Sequence, residues 1–150
     1  MTKFYALAGL RLGAVIGHPK TIAQLQAFKE PWTINIVAEK LASVLLRCLE
    51  YEETTRELIS SERQRLHSLL RTIPGIRVFN PTANFFLAQW TSTENLDDLL
   101  FALLLKGLYV RDCRNFEGLE QNYFRFAIRT PPENDHLCDA LVDITKVKHG

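Results

Sequence analysis

Lys3 is followed by Phe4, Tyr5, Ala6 and Leu7, so its amine stands in an apolar neighbourhood. Desolvation favours the neutral amine, the form that attacks an aldehyde. Arg11 is the lone charge in the apolar run Gly9–Gly17, with a glycine two residues away on either side. A guanidinium presents a planar fork of donors suited to a phosphate dianion, and glycines let backbone come close to it. Two further arginines, Arg111 in Leu108-Tyr109-Val110-Arg111 and Arg125 in Arg125-Phe126-Ala127-Ile128-Arg129, lie in strand-like sequence. Arg125, Ala127 and Arg129 share one face by period-two alternation, while Phe126 and Ile128 face the core. Each charge alone reads as ordinary surface solvation. Arginines converging near one loop read better as an anion site.

The elements that would position these groups follow from apolar spacing. Leu10–Ile16 reads as a short buried strand between Gly9 and Gly17. Pro19–Phe28 suits a helix opened by Pro19, and Pro31 breaks it. Trp32 is expected to pack and Asn35 to cap the next helix, whose face is Val37, Leu41, Val44, Leu45 and Cys48. A long helix is expected over about Glu52 to Thr72, with Leu66, Leu69, Leu70 and Ile73 as its seam and Pro74-Gly75 at its end. Its charged faces, with Glu52 and Arg56 at i, i+4, read as wet surface.

Strands are then expected at Ile76–Phe79 and Asn84–Trp90, the second apolar on both faces as a central strand is. Leu96, Leu99, Leu100, Leu103 and Leu104 form a helical stripe stopped at Gly107. Leu108–Arg111 and Tyr123–Ile128 read as strands joined by a turn over Asn115–Leu119. Thr130-Pro131-Pro132-Glu133 has the form of a capping box, opening a helix that buries Leu137, Ala140, Leu141 and Ile144. The fold class is α/β: a small mixed sheet with helices on one face. The boundary is expected near Leu49, because residues 1–49 hold one strand and two helices, too little sheet for a domain of their own.

The 150 residues carry a net charge of +1, 47% apolar and 23% charged residues. No basic excess points to nucleic acid or a membrane surface, and the apolar stretch near Leu99–Leu105 falls short of the roughly 20 residues a span needs. No signal segment opens the chain. Cys48, Cys113 and Cys138 form no CxxC pair, which fits a cytoplasmic home. His18, His67, His136 and His149 lack metal-ligand spacing, so no metal is expected. His136 is expected at the surface and Cys138 in the packing.

The segments TKFYALAGLRLG, EPWTIN, NPTANFFL and VRDC…FEGLEQNYFRFAIRTPPEN together resemble the threonine-phosphate decarboxylase family of cobalamin biosynthesis. That family is a relative of histidinol-phosphate aminotransferase on the pyridoxal-phosphate (PLP) dependent aspartate-aminotransferase fold, type I. Phe4-Tyr5 after the lysine, Trp32 after Pro31, and Arg129 where the aminotransferase has glycine lean toward the decarboxylase. Ala14 replaces a common tyrosine and Ala8 a common proline, and neither change removes a charge.

The resemblance implies that Lys3 is the Schiff-base lysine and that Arg11 holds the cofactor phosphate. It implies Arg125 for the substrate carboxylate and Arg111 for the substrate phosphate. The expected reaction turns L-threonine O-3-phosphate into CO2 and (R)-1-amino-2-propanol O-2-phosphate, in a homodimer. Residues 1–49 would be a remnant of the PLP-binding large domain and 50–150 the C-terminal small domain. The pyridine-binding aspartate would lie in an absent N-terminal half. These 150 residues alone are therefore expected to be inactive, to hold PLP poorly and to self-associate through exposed apolar helix faces. The alternatives are histidinol-phosphate transamination and, at the level of the residues alone, an α/β module binding anions through its arginines.

Overall fold

The computed structural model describes residues 2–92, 95–119 and 122–146; His149 lies outside them. The chain divides into two compact units, Met1–Glu53 and Thr54–Gly150.

In the first unit a single 3-10 turn, Ala8–Leu10, is followed by irregular chain and two helices, α1 (Pro19–Ala27) and α2 (Ile36–Leu45). The strand expected over Leu10–Ile16 does not form. A strand needs a neighbour for its backbone groups, and among the described residues no strand pairs with this stretch, whose Leu10 and Arg11 N–H groups turn back to Leu7 and Ala8; Val15 and Ile16 are exposed. Asn35 caps α2 as expected, its Oδ1 accepting from the Ala38 N–H at 2.9 Å. Its Nδ2 donates to the Leu10 carbonyl at 3.1 Å, tying the glycine-flanked segment to the helix start. Trp32 does not pack: it is 96% exposed, on left-handed backbone at φ 56°. α1 buries nothing and α2 only Ala38, leaving Val37 and Val44 in the open.

The second unit is built on a four-stranded sheet ordered β1-β2-β4-β3: β1 Ile76–Val78, β2 Phe85–Trp90, β3 Arg111–Asp112 and β4 Tyr123–Ala127. All three pairings are antiparallel, so the sheet is not mixed as expected. Strand sense depends on long-range pairing that apolar alternation does not encode. The expected strand Leu108–Arg111 contracts to Arg111–Asp112, because only that pair meets β4.

Phe86, Ala88, Trp90, Phe124 and Phe126 form the buried face of the sheet. Against it pack α3 (Leu49–Leu70) through Leu66 and Leu70, α4 (Leu96–Leu105) through Leu96, Leu99 and Leu103, and α5 (Pro131–Lys146) through Leu137, Ala140, Leu141 and Ile144. Leu69 and Leu104, both placed on seams by their spacing, are 41% and 56% exposed. They sit at the margins of stripes narrower than the apolar sequence suggests. α4 ends in a Schellman motif: the Leu108 N–H reaches the Leu103 carbonyl and the Gly107 N–H the Leu104 carbonyl, with Gly107 at φ 77°. One half of the capping box of α5 is formed, with Glu133 Oε2 accepting from the Thr130 N–H, while the Thr130 hydroxyl donates to the same carboxylate.

One polar network lies at the edge of the core. Glu62, 5% exposed, accepts from Arg65 Nε and Nη2 at 2.8 Å each and from Asn134 Nδ2 at 2.7 Å. Arg65 also reaches Asp135, so α3 is fastened to the first turn of α5. The hydrogen bonds from Arg65 hold the Glu62 carboxyl below its ordinary range, outweighing the opposing effect of burial.

Glu62→Ala should therefore lower stability by about 2 kcal/mol in urea unfolding at pH 7, since it removes the acceptor shared by Arg65 and the buried Asn134. A carboxyl depressed in the folded state stabilises above its unfolded pKa, and that contribution disappears as pH falls through the folded value. The gap between native and Glu62→Ala midpoints should accordingly close under acid conditions below about pH 4. Burial pushes the Cys113 thiol up, and the Cys138 thiol to about 11. At pH 8 iodoacetamide should label Cys48, the cysteine that is not fully buried, well before Cys113 or Cys138, as read by peptide mass.

Candidate functional site

Side chains alternate along β4. Burying Phe124 and Phe126 beneath the helices therefore turns Arg125 to the opposite face of the sheet. There Arg125 stands directly across from Arg111 on β3 and from Leu87 on β2. The structure thus brings together the two arginines that the sequence singles out, as immediate cross-strand neighbours.

Four arginines occupy residues 111–129, and they divide sharply. Arg114 is clamped by Asp112 and Asp97, its Nη2 lying 2.7 and 2.5 Å from their oxygens. Both carboxyls are held below their usual range by those hydrogen bonds. Arg129, exposed next to the buried Ile128, pairs with Glu133. The Arg129 hydrogen bond is the main cause that takes the Glu133 carboxyl down to about 2. The alternation persists past the end of β4 at Ala127, with Ile128 buried and Arg129 exposed, and the first turn of α5 engages Arg129.

Among the described residues, Arg111 and Arg125 have no carboxylate within ion-pair distance. Arg111 Nη2 donates to Asn115 Oδ1 at 3.0 Å, and both guanidiniums rest on aromatic rings. Arg111 Cζ is 5.7 Å and Arg125 Cζ 5.5 Å from the centroid of the same ring, Phe116; Arg125 is also 5.3 Å from Phe85. Phe116 is held by a folded loop: its N–H bonds to the Cys113 carbonyl, and its own carbonyl accepts from Leu119 across a turn containing Gly118 at φ 81°. Beside Phe85 and Leu87 a cavity of about 230 Å3 opens, walled also by Phe79, Asn80, Pro81, Thr82 and Ala83. Phe85 and Phe116 were not singled out from sequence. The available signal was an aromatic residue between two arginines in the connecting loop.

In the first unit, Lys3 and Arg11 lie on successive turns of one segment, closed by Ala6 N–H to the Lys3 carbonyl and Arg11 N–H to the Ala8 carbonyl. Lys3 is exposed, so the apolar enclosure expected of Phe4 to Leu7 is not formed around it. The rings of Phe4 and Tyr5 turn instead to Tyr51, with Tyr5 and Tyr51 stacked at 5.6 Å. Tyr51 Oη donates to the Phe4 carbonyl and Tyr5 Oη to Glu52. Arg11 is exposed on left-handed backbone (φ 54°), with Nη1 bonded to the Ala8 carbonyl at 3.0 Å. A Cβ on Gly9 or Gly13 would meet nothing within 4 Å, so the backbone flanking Arg11 is open to a ligand. Of the histidines, His136 lies at the surface, and no His, Cys, Asp or Glu cluster suited to a metal occurs among the described residues. No helix among them is long and apolar enough to cross a membrane.

A small antiparallel sheet backed by helices carries on its other face two arginines that have no carboxylate partner among the described residues, an arrangement suited to an anion. The sequence pattern described as aminotransferase class I and II matches residues 1–141, and the chain belongs to that family. It is 38% identical over 141 residues to a Caldanaerobacter subterraneus protein carrying a provisional threonine-phosphate decarboxylase name, covering 94% of this chain and 38% of that one. It is 31% identical over 145 residues to the threonine-phosphate decarboxylase of Salmonella typhimurium, covering 96% and 39%. The crystal structure of the histidinol-phosphate aminotransferase from Clostridium acetobutylicum superposes with a TM-score of 0.91 at 34% identity, covering 98% of this chain and 44% of that one. The chain thus spans about two fifths of the length of these relatives, and its α/β fold is theirs.

If the arginine pair binds anions, inorganic phosphate should stabilise the chain by about 1.4 kcal/mol at ten times its dissociation constant. Thermal unfolding at constant ionic strength should show this rise for the native chain and its loss in Arg111→Gln and Arg125→Gln.

Proposed function

We propose that the enzyme carrying this chain is a PLP-dependent carboxy-lyase acting on L-threonine O-3-phosphate. The products would be CO2 and (R)-1-amino-2-propanol O-2-phosphate. The observation behind a substrate with anions at both ends is the Arg111 and Arg125 pair, without a carboxylate among the described residues while Arg114 and Arg129 are neutralised; the pair serves either reaction, and the likeness to threonine-phosphate decarboxylases favours this one. The substrate is a small amino acid with anions at both ends. Arg125 would take its carboxylate and Arg111 its phosphate, and binding both ends would fix which bond at the α-carbon is presented for cleavage. When the carboxyl bond breaks, CO2 leaves and a proton takes its place on the α-carbon.

The residues of the first unit suit PLP. Lys3 offers an exposed amine and Arg11 an exposed guanidinium, neither with a carboxylate partner among the described residues. Lys3 would hold the cofactor through its aldehyde carbon and Arg11 through its phosphate. The bound cofactor supplies a conjugated ring that accepts the electrons of the broken bond.

Histidinol-phosphate transamination is the second reading. It is favoured by the 0.91 superposition on the Clostridium enzyme and by the use that either substrate could make of a two-arginine site. By itself the 150-residue chain is proposed to be inactive. The exposed faces of α1 and α2 would favour its self-association, while the parent enzyme is proposed to be a homodimer.

The enzyme that carries this chain, given O-phospho-L-threonine and PLP, should release CO2 without passing its amino group to 2-oxoglutarate. The opposite pattern would select the second reading. Lys3→Ala should abolish turnover. Arg125→Gln should lower kcat/KM by roughly 10- to 100-fold, the loss of one charge-assisted hydrogen-bond set.

A further inference from the structure

We infer that Phe116 is a positioning residue for the two-arginine site, resting on the anion-binding role proposed above for Arg111 and Arg125. Like charges placed directly opposite on neighbouring strands repel. Arg111 and Arg125 are in that relation, and no described carboxylate lies between them. Two long side chains under that force would splay into water and lose the fixed spacing that a substrate with anions at both ends requires.

The Phe116 ring opposes this. Its centroid lies 5.7 Å from the Arg111 Cζ and 5.5 Å from the Arg125 Cζ, so one ring attracts both cations. Asn115, next in the chain, takes the Arg111 Nη2 at 3.0 Å and fixes the roll of that guanidinium. The loop is itself braced, by Phe116 N–H to the Cys113 carbonyl and by Arg114 locked between Asp112 and Asp97. Phe85 supports Arg125 from a second ring but lies over that arginine alone. Phe116 is therefore the group that relates one arginine to the other. It leaves the charged forks free, because a ring accepts no proton and competes for no hydrogen bond.

The test uses the 150-residue chain, labelled at arginine and titrated with inorganic phosphate at constant ionic strength, with the Nε–Hε resonances of Arg111 and Arg125 as the readout. In Phe116→Leu the Arg111 resonance should lose its ring-induced displacement and the Arg125 resonance should shift while keeping the part due to Phe85, and phosphate should bind roughly tenfold more weakly. In Phe116→Tyr, which keeps the aromatic face, both should return. Thermal midpoints should stay within about 2 °C in each variant, since Phe116 is 40% exposed on a loop. Unchanged phosphate affinity in Phe116→Leu, with affinity lost in Arg111→Gln and Arg125→Gln, would overturn the positioning role and leave the arginine site standing. Unchanged affinity in the arginine variants themselves, or no phosphate response in the native chain, would overturn that site and this inference with it.

Discussion

The register of β4 against β2 and β3 is the constraint from which the candidate site follows. Once Phe124 and Phe126 are committed to the core, a two-residue repeat leaves Arg125 no choice of face. Arg111 then meets it because β3 is only two residues long and pairs at that point. The apolar contacts of α3, α4 and α5 thus do more than stabilise the unit. They hold two cations in a juxtaposition that neither side chain would seek, and a one-residue slip would drive Arg125 into the core.

Charge is distributed with the same economy. Arg114 and Arg129 sit in exposed ion pairs, of a kind that contributes little to stability. Their effect is to remove two of four guanidiniums from competition for an anion and to brace the segments on either side of the remaining two. Asp97 and Asp112 act through Arg114 on the loop, and Glu133 acts on Arg129 while also closing the helix cap. Asp97, Asp112 and Glu133 are committed to the arginines outside the pair.

Much of this was legible in the sequence where the information is local. The leucine stripe of α4, its stop at Gly107 and the capping box of α5 are short-range patterns, and each appears in the structure, the box in its Glu133 half. The buried face of β4 follows equally from alternation. What the sequence did not disclose is set by partners far along the chain. The antiparallel sense of the sheet, the shortness of β3 and the failure of a strand at Leu10–Ile16 all depend on which backbone lies alongside. Lys3 was expected to be enclosed because its neighbours are apolar. Adjacency in sequence is not adjacency in space, however, and Phe4 and Tyr5 spend their surface on Tyr51. Phe116 escaped notice because an aromatic residue in a turn looks like incidental packing until the arginines are seen on its ring.

The two tryptophans are divided between the two compact units and held in opposite surroundings. Trp32 belongs to the first unit and is 96% exposed; Trp90 belongs to the second and is 1% exposed, with its ring against Gly75. An indole in water emits at longer wavelength than one in an apolar interior, so the intrinsic fluorescence of the chain has a red and a blue component of separate origin. Quenching by a polar solute would extinguish the first and spare the second. The molecule carries its own pair of optical reporters, one on each side of the division at Glu53.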